Sequence, residues 1–236
     1  MTQRLVAIHQ PNFFPWLGYF DKLARADVFV LLDDVQFPKK GGTWINRVRL
    51  LIDEEPAWGT VPVDRSYHGV REVREMRIDE QTPWRRKLVK TIQTSYGRAP
   101  HRDEVMPLLS ELIENPTDEL AEYNRASIAA LSQALGLTTE FVLSSSLGAT
   151  GRATERLIQL VKAVGGSGYL SGGGAAGYQD DERFSEAGIE LVEQRFDPPT
   201  YPQLASAPVP GLSVIDALLN CGFDGTRRLI GSAPGT

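Results

Sequence analysis

The chain has 236 residues, 42% of them hydrophobic, with a formal net charge of -5. A chain this long buries a sizeable core without disulfides, and the single Cys221 cannot form an internal one, which fits a reducing cytoplasm. No basic block stands out and no apolar run reaches membrane-spanning length, so the composition argues against nucleic acid as a partner and against membrane insertion.

Thr2-Gln3-Arg4 leads directly into a short apolar run, so no signal peptide is expected. That run, Leu5-Val-Ala-Ile-His9, has strand length and ends at His9-Gln10-Pro11. Pro11 and Pro15 interrupt regular structure. A helical pattern follows through Trp16, Leu17, Phe20 and Leu23, and a second apolar run over 28–32 closes on Asp33 and Asp34. Strand, loop, helix, strand predicts a parallel unit whose loops share one edge of a sheet, where ligands bind. His9, Gln10, Asp33, Asp34 and Gln36 are expected at that edge. Phe13, Phe14 and Trp16 sit on the proline-bearing loop, and a pocket wall is favoured over a lid on the core.

Residues 44–52 alternate as a strand, 53–56 read as a turn, and 57–63 as the return strand. Arg47 has the fork for a carboxylate or phosphate, although a solvated arginine is the more ordinary reading. Thr82-Pro83 opens a helix with a core stripe at Trp84, Leu88, Ile92 and Tyr96. Two more helices are expected over 102–114 and 118–135, the second ending at Gly136.

Residues 140–143 are a short strand. The small-residue loop from Ser144 to Thr150 opens a helix over 153–164 and could present free amides to an anion. It lacks the phosphate-loop lysine. Tyr169-Leu170 is a strand, followed by Ser171-Gly172-Gly173-Gly-Ala-Ala-Gly-Tyr178, read here as a ligand loop over a plain connector. A helix over 180–187 and a strand over 189–194 repeat the logic of the opening unit. After a proline-rich stretch containing Tyr201, a closing helix is expected over 212–222, with Ser213 as N-cap, Asp216 as its box partner and Gly222 as C-cap.

The predicted architecture is therefore α/β: a Rossmann-like, mostly parallel sheet forming one domain over 1–230, with a β-hairpin excursion at 43–63, a helical insertion at 82–136 and a tail over 231–236. With three histidines, a histidine-rich metal site is not expected. Asp33-Asp34 could hold Mg²⁺ with a nucleotide, but two acids at a strand end are more often turn residues.

These residues resemble the WbqC-like family of bacteria. The resemblance rests on His9-Gln-Pro, Pro15-Trp16, Gly18-Tyr19, Lys22, Ala26-Asp27, Asp33-Asp34-x-Gln36-Phe37 and Trp44-x-Asn46-Arg47. It continues through Tyr169-Leu-Ser-Gly-Gly, Tyr178, Tyr201-Pro-Gln203 and the segment from Leu212 to Gly222. It covers nearly the whole chain. The resemblance implies a role in O-antigen and other surface-polysaccharide gene clusters, with transfer of an acyl or glycyl group to an amino sugar. A weaker resemblance is to nucleotidylyltransferase-like Rossmann proteins; here Gly18 is followed by Tyr19, where that group has a second histidine.

Three functions follow as expectations. The first is a transferase on a nucleotide- or sugar-linked small molecule, with His9 as general base, Asp33 and Asp34 beside it, and the diphosphate or acyl donor held by the loops 144–150 and 171–174. Its substrate contacts would be Gln10, Phe14, Trp16, Lys22, Gln36, Trp44, Asn46, Arg47, Tyr169, Ser171, Gly172, Gly173, Tyr178 and Tyr201. The second is an ATP-dependent ligase or nucleotidyltransferase using Mg²⁺. The third is a non-catalytic binding protein of a glycan pathway. The oligomeric state is not legible.

Overall fold

A computed structural model describes residues 3–40, 43–172 and 180–231. Five strands form one sheet: β1 (Leu5–His9), β2 (Val28–Leu31), β5 (Glu140–Leu143), β6 (Gly168–Ser171) and β7 (Glu190–Glu193). All neighbours run parallel, in the order β5-β2-β1-β6-β7. The expected Rossmann-like parallel sheet is the fold. Its central strands are near-continuous apolar runs because both faces are covered. Val6, Ile8, Val28 and Val30 face α5 (Ala153–Ala163) and α6 (Asp181–Glu186) through Ile158, Val161 and Phe184. Ala7, Phe29, Leu31 and Leu170 face α1 (Leu17–Arg25) and α4 (Leu120–Ala134) through Tyr19, Leu23 and Ile128.

The expected helical insertion contains α2 (Trp84–Ser95), α3 (Arg102–Ile113) and α4. Only the first two lie apart from the sheet. Helix α4 is the crossover that returns the chain from the hairpin to β5, so it is part of the sheet's own cover.

The hairpin excursion is β3 (Arg47–Ile52) and β4 (Glu55–Thr60), shorter than its alternation suggested. Asp53 and Glu54 both have positive φ, at 54° and 68°, the two-residue turn that matches strand twist. Residues 44–46 form a turn instead of a strand. The amides of Asn46 and Arg47 both donate to the Thr43 carbonyl, and Asn46 Nδ2 donates to Val61 O at 3.1 Å. The hairpin, α2, α3 and the last helix enclose a second apolar core that includes Phe13, Phe14, Val48, Leu50, Ile92 and Leu218.

Helix α7 (Val214–Gly231) carries the expected break at Gly222, at φ 69°, and adds a further helical stretch after it. Ser213 does cap it: Ser213 Oγ accepts from the Ile215 amide at 3.2 Å. Asp216 is no box partner. Its carboxylate is fully buried and accepts from Tyr96 Oη at 2.9 Å and Tyr201 Oη at 2.8 Å. Burial pushes the Asp216 carboxyl up, against the pull of the two hydroxyls. No helix of the described residues is long and apolar enough to cross a membrane.

Candidate functional site

From β1 the chain winds to one side, through β2 to β5. From β6 it winds to the other, to β7. The crevice between β1 and β6 is thus the switch point of the sheet, where carboxyl ends of parallel strands leave room for a ligand. His9 closes β1 and Gly172 follows β6. With Ile8, Gln10, Lys22, Leu32 and Tyr169 they line a cavity of about 300 Å³.

His9 is half-buried. Its Nδ1 lies 3.1 Å from the Gln10 carbonyl, which makes Nδ1 the protonated nitrogen of the neutral ring and Nε2 the bare one. The Tyr19 ring meets it edge-on at 4.9 Å, and Tyr19 Oη donates to the same carbonyl. Burial first, and then the charge of Lys22, lowers the His9 pKa to about 4. The imidazole is therefore neutral at physiological pH.

Lys22 comes from α1, one helical turn past Tyr19. Its side chain is buried, and Nζ donates to the Ile8 carbonyl at 3.1 Å. It stands 6.0 Å over the Tyr169 ring. Among the described residues no carboxylate lies within 4.0 Å of it. Burial lowers its pKa to about 8, so at neutral pH it is still mostly charged. A buried ammonium held by one carbonyl is costly unless an anion joins it.

The floor is organised by Gln194, just past β7. Its Nε2 donates to Gly18 O and to Asp21 Oδ2, both at 2.7 Å, and its backbone amide donates to Ser171 O. Ser171 thus stands beside the cavity, buried at the end of β6. A Cβ on Gly172 would stand 3.8 Å from Lys22 Nζ, so this position brings backbone against the ammonium. The expected contacts Gly173 and Tyr178 lie outside the described residues.

Asp33 and Asp34 are occupied elsewhere. Asp33 Oδ1 accepts from Ser144 Oγ at 3.1 Å and from the Ser145 amide at 3.0 Å, and Oδ2 accepts from Ser145 Oγ at 2.6 Å. Asp34 accepts from Ser144 Oγ and pairs with Arg156 at 2.5 Å. The two acids clamp the end of β2 to the turn after β5. A guanidinium already neutralises Asp34, so the pair does not fit Mg²⁺. Several amides of the 144–150 loop are also taken: Ser145 N donates to Asp33 and Leu147 N to Ser144 O. Gln159 Oε1 accepts from Thr150 N and Gly151 N, both at 3.1 Å.

The remaining expected contacts scatter. Gln36 is exposed and bridges to Glu72. Phe14 is fully buried against Phe13 in the core and is no pocket wall. Trp16 folds over Gly18, where a Cβ would approach its ring to 2.4 Å. It lines a separate cavity of about 220 Å³ with Tyr201 and the proline-rich stretch. Trp44 and Asn46 lie in the turn before the hairpin, and Arg47 opens β3. They are tied back to the histidine loop by Phe13 N donating to Trp44 O, and by Asn124 Nδ2 donating to Pro11 O and Ile45 O.

Comparison with known proteins now bears on this arrangement. The model of the WbqC-like protein family matches residues 10–228. The chain belongs to the WbqC-like family. The uncharacterized protein Rv1507c of Mycobacterium tuberculosis is 32% identical over 221 residues, covering 93% of this chain and 94% of the relative. No solved structure matches the chain. In this WbqC-like chain, site residues that sequence reasoning missed are Tyr19, Asp21 and Gln194. A signal existed for two of them. Asp21 and Lys22 are adjacent charges between Phe20 and Leu23, inside a helix that has to face a core. Gln194 is a polar residue directly after a strand, at the ligand edge of a parallel sheet.

Proposed function

We propose that the cavity between β1 and β6 binds the anionic part of a nucleotide- or sugar-linked substrate, and that this WbqC-like protein is a cytoplasmic transferase of bacterial surface-glycan synthesis. It would pass an acyl or glycyl group to the amine of an amino sugar. The observation that carries the reading is Lys22, a buried ammonium without a carboxylate partner at the switch point of a parallel sheet. A phosphate or carboxylate arriving there supplies the missing counter-charge.

The chemistry needs little more than His9. The acceptor amine attacks the donor carbonyl carbon, a C–N bond forms, and the bond to the leaving group breaks. Nε2 takes the amine proton and returns it to the leaving group. An anion on Lys22 removes part of what holds the His9 pKa down, because the lysine charge is one of its causes. Substrate binding thereby makes His9 a better base.

A thermal-shift panel tests this: sugar nucleotides, acyl-CoA, and ATP with and without Mg²⁺. A shift with sugar nucleotides that is lost in Lys22→Met supports the reading. A shift with Mg-ATP alone would replace it by an ATP-dependent ligase. No shift with any of them would sink the anion site.

A further inference from the structure

The hairpin carries features that the His9 cavity does not use. Trp44 and Trp58 are exposed by 41% and 44%, with ring centroids 5.2 Å apart. The Arg47 guanidinium lies over Trp58 at 4.1 Å. Between β4 and α2 is an open cavity of about 470 Å³, with Trp58 on the strand and Trp84 on the helix among its walls. Thr60, Thr82 and Thr91 supply hydroxyls to it, and Lys87 an ammonium.

One donor on the cavity's wall residues and one on the arginine stacked over Trp58 are unspent. Trp84 Nε1 and Arg47 Nε are buried and lack a hydrogen-bond partner, and the Trp84 side chain is more than nine-tenths buried. Buried donors of this kind are rare without a partner. Charge points the same way. Arg47, Arg49 and Lys87 form no ion pair among the described residues, and Arg49 stands opposite Trp58 in the hairpin register. The surface combines indole faces, hydroxyls and uncompensated cations.

We infer that this cavity is a second ligand site, for a saccharide ring carrying a phosphate or carboxylate. The ring's C–H face stacks on Trp58, its hydroxyls exchange hydrogen bonds with the threonines, and the negative group lies on Lys87, with the Arg47 charge on Trp58 adding to the positive field. A nucleobase is the poorer occupant. Adenine and cytosine edges are read by amide or carboxylate side chains, and none lines this cavity. The site is independent of whether the His9 cavity is catalytic.

Isothermal titration of the full chain with glucose 1-phosphate, glucuronate, glucose and AMP tests it. Saturable binding of the two charged sugars is expected, with neutral glucose weaker and the affinity falling as salt rises. Trp58→Ala and Lys87→Glu, each checked for native circular dichroism, should weaken binding by about tenfold or more, while Lys22→Met leaves it unchanged. No binding of any probe overturns the inference. So does binding that survives Trp58→Ala but is lost in Lys22→Met, which would move the ligand to the His9 cavity. Tighter binding of AMP than of either sugar would make the cavity a nucleobase slot instead.

Discussion

The Lys22 ammonium lies 3.1 Å from the Ile8 carbonyl oxygen, in the strand that ends at His9. That single hydrogen bond is its only polar contact among the described residues. Ionised Lys22 opposes folding at pH 7 by about 3 kcal/mol, taking its lowered pKa at about 1.4 kcal/mol per unit. Lys22→Met should therefore raise the urea midpoint of the free protein or leave it unchanged, since the lost hydrogen bond offsets part of the gain. The same variant should lose the ligand-induced thermal shift. A strongly destabilised variant that kept its shift would show that Lys22 is structural.

The two depressed pKa values predict the pH dependence of stability. His9 binds its proton near pH 4 in the folded chain and near 6.5 when unfolded. Between those values the unfolded chain holds more protons, so stability falls as pH drops from 6.5 to 4. Lys22 works in the same sense higher up: the unfolded chain holds more protons between about 8 and 10.5, so its contribution to stability grows as pH rises through that window. Denaturant midpoints of His9→Gln and wild type should converge near pH 4 less well than near pH 7. An NMR titration should leave the His9 ring neutral at pH 5.5. Protonation near 6.5 would contradict the buried environment.

The Tyr96–Asp216–Tyr201 contact joins α2, α7 and the proline-rich stretch. Asp216→Ala should cost about 3 kcal/mol, because it leaves two buried hydroxyls without an acceptor. Tyr201→Phe, which removes one of the two donors, should cost about 1 kcal/mol. Equilibrium urea unfolding measures both. If Asp216→Ala were neutral, the buried carboxylate would serve the adjoining cavity and not the fold.

Gly222 is the sharpest backbone constraint. An added Cβ would stand 2.6 Å from His101 Nδ1, at a φ of 69° that side chains avoid. Gly222→Ala should destabilise by about 2 kcal/mol or more, adding backbone strain to the clash. Relief in the double variant His101→Ala, Gly222→Ala would separate the two contributions.

Much of the sheet could be read from the chain because β1, β2 and β6 are short apolar runs ended by Pro, Asp or Gly, and local pattern carries that information. His9, Gln10, Tyr169 and Gly172 lie together because a parallel sheet sends its strand ends to one edge, and Lys22 reaches them from α1. What failed to show was whatever depended on remote partners. Asp216 lies three residues after Ser213 and reads locally as a capping box, yet its partners are Tyr96 and Tyr201. The loop after β5 reads as open amides, and nothing nearby reveals that Gln159 turns back to take those of Thr150 and Gly151. Phe14 reads as loop, but its neighbours in space come from the hairpin and α7. Lys22 was singled out only by resemblance, since its lack of a counter-charge is a property of the folded surroundings.

The strand order also bears on how this protein is made. Leu5 in β1 lies opposite Gly168 in β6. Between them the chain must complete β2, the hairpin, β5 and the five helices α1 to α5. Contacts that close such long loops form late in folding. A nascent chain therefore carries His9 and Lys22 long before Tyr169 and Gly172 leave the ribosome. The cavity around His9 and Lys22 cannot exist in an N-terminal fragment that ends before β6, since Tyr169 and Gly172 supply part of its wall.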